Sequence, residues 1–185
     1  DCRVRVLHPP AAYPDGGPTR RSDNEASLVL GIEGAGRRVL LTGDLEGAGL
    51  DRFVAGNPGH CDVLVAPHHG SASILPHGLL GATTPEWVIV SGAGGPRWAT
   101  AERAWTTAVE PAPRVLRTAG AVRVSLRRDG TSAERFVDGR WRPVEAASEG
   151  AKAAAGATAS EGVAGWNRVN AGRPIGAASA PGRGS

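Results

Sequence analysis

The chain has 185 residues, 41% of them hydrophobic and 4% aromatic, and carries 21 Lys and Arg against 18 Asp and Glu for a formal net charge of +3. This length supports one sizeable core, and no run of about 18 apolar residues is present to cross a bilayer. The charge is too close to balance to establish a nucleic-acid or membrane surface by itself, and the two cysteines, Cys2 and Cys61, make no disulfide framework.

Taken in chain order, "CRVRVLHP" alternates apolar and polar residues, the pattern of a half-buried strand. "YPDGGPT" reads as a loop. "ASLVLGIEG" and "RRVLLTG" read as two strands joined across Gly-Ala-Gly as a hairpin. "LEGAGLDRFVAG" has the spaced apolar positions of a short helix. "CDVLVAP" is a continuous apolar run, expected as a buried strand with Cys61 as a small buried hydrophobe. A short helix in "SILPHGLLGAT" and a buried strand in "EWVIVSG" follow. "TAERAWTTAVE" reads as a helix with Thr100 at its N-cap and Pro111 beyond its end. "RVLRT" and "AVRVSLRR" read as strands, and Asp129-Gly130 and Asp138-Gly139 mark tight turns. From Ala146 the chain is rich in Ala, Gly and Ser, with Trp166 as its large side chain. Such a stretch buries too little to offset its ordering entropy, so residues 146–185 are expected to be a disordered tail behind a domain of residues 1–145.

Strands separated by helices imply a mixed α/β fold, in which ligands collect beyond strand ends. Asp44 follows "VLLTG", and His68 and His69 follow "VLVAP", so all three are expected at such ends. Asp44 fits two roles, an oxygen ligand for a divalent metal or the N-cap of the helix near Leu45. Adjacent histidines on extended backbone point to opposite sides, so one of the pair would reach a metal and the other would support it or face a phosphate. Asp23, Asn24 and Ser27 precede the "SLVL" strand, where turn formation and substrate contact both remain open. His8, His60 and His77 read as surface histidines. No phosphate-binding GxxxxGK[ST] loop, GxSxG elbow or CxxC pair is present, so no nucleotide cofactor is expected.

The ordered set "NEASLVLGIEGAGRRVLLTGDLEG", "CDVLVAPHHGSAS", "PEWVIVSGAGG" and "RVLRTAGAVRVSL" resembles the C-terminal metallo-β-lactamase-fold domain of ComEC-type competence proteins, over roughly residues 3–128. The resemblance implies an αββα sandwich, represented here by its C-terminal part, and a zinc or manganese site at one edge. By motif match, Asp44 and His68 would be metal ligands, with His69 beside them in the catalytic set. Asn24, Ser27 and Ser71 would contact substrate. The family implies a membrane protein of DNA uptake that acts on single-stranded DNA, with this segment outside the bilayer and attached to the channel portion.

Two departures stand out. The fold's first ligand motif, HxHxDH, is absent, and the chain begins at Asp1 without any methionine, so a segment of a longer protein is expected, with an incomplete metal site and no activity of its own. The family's late Gly-His-Pro is replaced by "GGPRWATAERAW", where Arg97 is the candidate substitute for substrate contact. The leading expectation is a metal-dependent phosphodiesterase or nuclease domain. The alternative is a degenerate, non-catalytic domain with a DNA-binding or structural role in the uptake channel.

Overall fold

The computed structural model describes residues 1–11, 23–71, 74, 76–92, 98–118 and 120–144. The chain divides into two units, Asp1–Ala146 and Ala147–Ser185, and every described residue belongs to the first. The proposed tail and its Trp166, the "YPDGGPT" loop and Arg97 lie outside the described residues.

The elements in order are β1 (Cys2–His8), a 3-10 turn (Asn24–Ala26), β2 (Val29–Gly34), β3 (Arg37–Leu41), α1 (Gly47–Ala55), β4 (Val63–Val65), a second 3-10 turn (Pro67–Gly70), α2 (Pro76–Thr83), β5 (Trp87–Ser91), α3 (Trp98–Thr107), β6 (Arg114–Thr118), β7 (Val122–Arg127), β8 (Gly130–Val137) and β9 (Arg140–Pro143). Strands β1 to β6 form one six-stranded sheet in sequence order, and β7 to β9 a separate three-stranded sheet. The first two pairings in the large sheet are antiparallel and the remaining three parallel. Each parallel crossover contains a helix, as such connections require.

Alternation along the strands builds the layers. Leu40, Leu64, Val88 and Val90 turn to one face, where they pack with Leu50 and Phe53 of α1, Leu79 and Leu80 of α2 and Trp105 of α3. Their neighbours Val39, Val63, Val65, Trp87 and Ile89 turn to the other face, against Val122, Val124, Leu126 and Ala133 of the small sheet. The fold is therefore mixed α/β, with helices on one side of the large sheet and a three-stranded sheet on the other. Each buried aliphatic side chain contributes about 1.5–3 kcal/mol of transfer free energy.

The expected hairpins form on positive-φ residue pairs. Ala35 (φ 53°) and Gly36 (φ 75°) link β2 to β3, and Asp138 (φ 50°) and Gly139 (φ 75°) link β8 to β9. Two left-handed residues in succession match the twist of the flanking strands. At Gly49, a Cβ would fall 2.1 Å from the Glu25 carbonyl oxygen, so α1 lies directly on the backbone of the first 3-10 turn.

Three expectations need correction. β1 is exposed from Cys2 to Val6 rather than half-buried, because three strands cannot cover a six-stranded sheet and the β7–β9 layer packs on its far half. α3 begins at Trp98, so Thr100 lies inside it and does not cap it. His8 is buried, at 2% exposure, with its ring edge-on to Phe53 at 6.3 Å. Its Nδ1–H donates to the Ser27 carbonyl at 3.0 Å, which makes it a core histidine and not a surface one. His60 and His77 are exposed. Cys61 is fully buried and Cys2 exposed, and both are free thiols. Burial pushes the Cys61 thiol up to about 12.

Candidate functional site

Parallel pairing of β3, β4 and β5 brings their C-terminal ends to one edge of the large sheet. Thr42-Gly43-Asp44 leaves β3 there, Pro67-His68-His69-Gly70 leaves β4, and Ser91 ends β5. Thr42 Oγ1 donates to the Val65 carbonyl at 2.5 Å, and the His68 N–H donates to the Gly43 carbonyl at 2.9 Å, which joins the first two exits. Gly43 has φ 54°, and a Cβ there would stand 3.2 Å from the Leu28 carbonyl oxygen. Glycine thus lets the "TGD" turn press against the Ser27-Leu28 backbone while sending Asp44 outward.

The histidines do not lie on extended backbone. His68 (φ 48°, ψ 45°) and His69 (φ 55°, ψ 26°) are left-handed, and Gly70 continues the turn at φ 70°. A left-handed conformation costs a non-glycine residue about 1–2 kcal/mol. The turn is pinned from below. Trp105 Nε1–H donates to the Gly70 carbonyl at 3.4 Å, and a Cβ on Gly70 would lie 2.8 Å from Val90 Cγ1. The Ser71 N–H closes the turn onto the His68 carbonyl at 3.0 Å.

The two rings have different partners. His68 Nδ1–H donates to Glu46 Oε2 at 2.8 Å, and Asn24 Nδ2 donates to Glu46 Oε1 at the same distance. The hydrogen bond from Asn24, followed by that from His68, holds the Glu46 carboxyl below its ordinary pKa. Commitment of Nδ1–H to a carboxylate fixes the tautomer of neutral His68 and leaves Nε2 with a lone pair, the arrangement that supports an imidazole as a cation ligand. His69 Nδ1 is 2.9 Å from Ser91 Oγ, and its Nε2 is 3.8 Å from Asp44 Oδ1. Both His69 and Asp44 are about half or more exposed, at 64% and 49% of their side chains.

The structure therefore brings Asp44 to His69, and His68 to Glu46 and Asn24. Ser27 sits beneath Gly43 and accepts from His8, and Ser71 follows the left-handed turn. Asp44 is not the cap of α1; that position is held by Glu46, in extended conformation and without a side-chain cap bond. Among the described residues no group of three or more His, Cys, Asp or Glu side chains is placed to hold a metal ion.

Glu46 and Ser91 are members that the motifs do not announce. Glu46 lies two residues beyond Asp44, and its reach back to Asn24 depends on where the first 3-10 turn packs. Ser91 follows from topology: the parallel neighbour of a ligand-bearing strand ends at the same edge.

No family model matches the chain. It is similar to the competence protein ComA of Neisseria gonorrhoeae, with 34% identity over 123 residues. The match covers 62% of this chain and 17% of that protein, so the chain spans a small part of its relative's length. No helix among the described residues is long and apolar enough to cross a membrane. By sequence, the chain is related to a competence protein.

Proposed function

We propose that this chain is part of a metal-dependent phosphodiesterase domain of the metallo-β-lactamase type, within a ComEC-like membrane protein that takes up DNA. Two findings support the reading: similarity to a competence protein, and the ordered pair "LLTGD" and "PHHGS". The single observation that carries it is the convergence of Asp44 with two adjacent left-handed histidines at one sheet edge. Strained non-glycine backbone persists where the surroundings over-determine it, and such positions cluster at functional sites.

The donor chemistry fits a zinc or manganese ion in part. Asp44 Oδ1 and His69 Nε2 stand 3.8 Å apart. Both side chains would be donors to one ion held between them. His68 Nε2, oriented through Glu46 and Asn24, is the further candidate donor. A catalytic zinc site takes three protein ligands and a water. The described residues do not make that set alone, and the remaining ligands are proposed to lie outside this segment. Once bound, a divalent ion polarises a phosphoryl oxygen and lowers the pKa of its water. Asn24, Ser27 and Ser71 are proposed to line the approach of a DNA phosphate, and Arg97 to contact it.

In a four-layer αββα sandwich a second helical layer covers the outer sheet. On β7–β9 the outer face carries Arg123, Ser125, Arg127, Ser132 and Glu134 together with the Phe136–Trp141 pair.

The second reading, a non-catalytic domain with a DNA-binding or structural role in the channel, is favoured by the "GGPRWATAERAW" stretch, which has no histidine. One experiment separates the two. Single-stranded oligonucleotide is incubated with Mn²⁺ or Zn²⁺ and the protein in which this segment is encoded, wild type or Asp44→Ala. The expected result is cleavage that a chelator and Asp44→Ala each abolish, by at least a hundredfold, and no turnover by the 185-residue chain alone. Cleavage indifferent to Asp44→Ala overturns the hydrolase assignment.

A further inference from the structure

The two faces of β1 differ in chemistry, and both stop at an open edge. Directly paired residues share a face, so the register traces each row across the large sheet. Val4 continues through Ile32, Val39 and Val63 to Trp87, and Val6 through Leu30, Leu41 and Val65 to Ile89. Both rows lie on the side of the small sheet, where Val39, Val63, Val65, Trp87 and Ile89 belong to the core between the sheets. The rows surface at β1, whose Val6 and Val4 are the most exposed large hydrophobic side chains among the described residues. The opposite face carries Arg3 and Arg5 in line with Leu7, which packs toward the helices. Arg3 is opposite Glu33 in register, and Arg5 is opposite Gly31, which has no side chain. Among the described residues neither arginine makes an ion pair.

Charge on an edge strand commonly guards against pairing, which accounts for Arg3 and Arg5 taken alone. It does not account for two apolar rows that end in solvent on the same strand. The edge is also regular from Cys2 to Val6, up to the bulge between Val6 and His8, a free length of about 17 Å. A strand added here would place its side chains alternately on the two faces. Those beside Val4 and Val6 would prolong the rows that already join the two sheets. Those beside Arg3 and Arg5 would meet two cations. The complement is an extended segment in which apolar residues alternate with Asp or Glu. A second copy of β1 has the wrong charge for this edge, because its arginines would meet the same cations. An anionic bilayer meets one face at a time, and here the valines and the arginines lie on opposite faces.

We infer that the outer edge of β1 is a docking site for an extended peptide segment of alternating apolar and acidic residues, taken up by strand addition. Main-chain hydrogen bonds along Cys2–Val6 supply the affinity, and the valine rows with Arg3 and Arg5 set register and choice of partner. The site shares no residue with Asp44 and the histidines, and its occupation requires no metal.

The test is fluorescence anisotropy of labelled peptides with the 185-residue chain in EDTA. The probe carries the core Val-Glu-Val-Glu-Val between Gly-Ser flanks. Two further peptides challenge the wild-type chain itself. Val-Lys-Val-Lys-Val reverses the charge, and the glutamate peptide with N-methylated core amides keeps the side chains but loses its main-chain donors. Each is expected to bind about tenfold more weakly than the probe. Arg5→Glu changes an exposed side chain, and circular dichroism confirms that the variant folds. It is expected to weaken the probe about tenfold and to strengthen the lysine peptide. Asp44→Ala is expected to bind the probe like wild type, which separates this inference from the hydrolase reading. The inference is overturned if the folded chain does not bind the probe, if the N-methylated peptide binds equally well, or if the charge of the peptide makes no difference. It is also overturned if a dT12 oligonucleotide or phosphatidylserine vesicles bind through Arg5 and the probe does not bind.

Discussion

The two ends of the parallel strands β3, β4 and β5 are both rich in charge, and they are built in opposite ways. At the N-terminal end Asp62 is 5% exposed and fully engaged. Its Oδ1 accepts from Arg37 Nη1 and its Oδ2 from the Arg38 N–H, each at 2.7 Å. Its carbonyl accepts from the Glu86 and Trp87 N–H groups at 3.0 Å. Arg37 also donates through Nε to the Arg127 carbonyl, which ties the two sheets together. A cavity of about 750 Å³ opens beside this network, lined by Arg3, Glu33, Arg37, Arg38, His60 and Asp62 among others. At the C-terminal end, Asp44 and His69 stand half exposed on strained turns. This concavity accompanies the cluster whose groups are spent on the framework, whereas the unspent donors and the backbone strain gather at the opposite end.

The comparison is broken most severely by exchanging the roles of the two aspartates. Asp62→Ala removes two charge-assisted hydrogen bonds, one of them to a main-chain N–H, and is expected to lower stability by about 3 kcal/mol in urea unfolding. Asp44→Ala is expected to stay within about 0.5 kcal/mol of wild type. Equal losses at the two positions would remove the distinction between a framework end and a working end.

A smaller effect of opposite sign is expected at the left-handed turn. His69→Gly relieves a left-handed conformation and should stabilise the chain by roughly 0.5–1 kcal/mol after glycine's extra unfolded-state entropy. The midpoint of a urea titration reads this directly. A loss of stability would mean that the His69 contacts with Ser91 and Asp44 outweigh the strain.

The smallest effect concerns acid. The folded Glu46 pKa is depressed, so its contribution is present above the unfolded value of about 4.3 and is lost as pH falls through the lower folded value. The Glu46 side chain is 29% exposed, so solvent screening limits this to a few tenths of a kcal/mol. Glu46→Gln is expected to flatten the acid limb of the stability profile below about pH 4.5 and leave the profile near pH 7 almost unchanged.

Much of the fold is legible because its signals are local. The β5 alternation, with Trp87 and Ile89 on one face and Val88 and Val90 on the other, follows from strand pleat alone. Asp138-Gly139 specifies its own turn. The convergence of Asp44 with the histidines is legible from the rule that ligands gather where parallel strands end. What escapes is non-local. Nothing in "CRVRVLHP" tells how far a second sheet extends over it, so the exposure of β1 is invisible from the strand itself. The left-handed pair at His68 and His69 carries no glycine to signal it, because packing of Trp105 and Val90 around Gly70 sets the turn from outside the motif. The partnership of Glu46 with Asn24 spans 22 residues and depends on α1 settling onto the first 3-10 turn.

β1 has a consequence for how the chain behaves in concentrated solution. It ends the large sheet, and Val4 and Val6 are 59% and 61% exposed on it. Among the described residues no strand pairs with its outer edge, and such an edge with open valines is a template for another strand. Arg3 and Arg5 alternate with those valines, and antiparallel pairing of two copies about Val4 would set Arg3 of one against Arg5 of the other. Like charges directly opposite oppose such pairing, so these two arginines act as gatekeepers. Their protection is electrostatic and weakens as salt shortens the screening length. The solubility of this protein is therefore tied to ionic strength through two side chains of its edge strand.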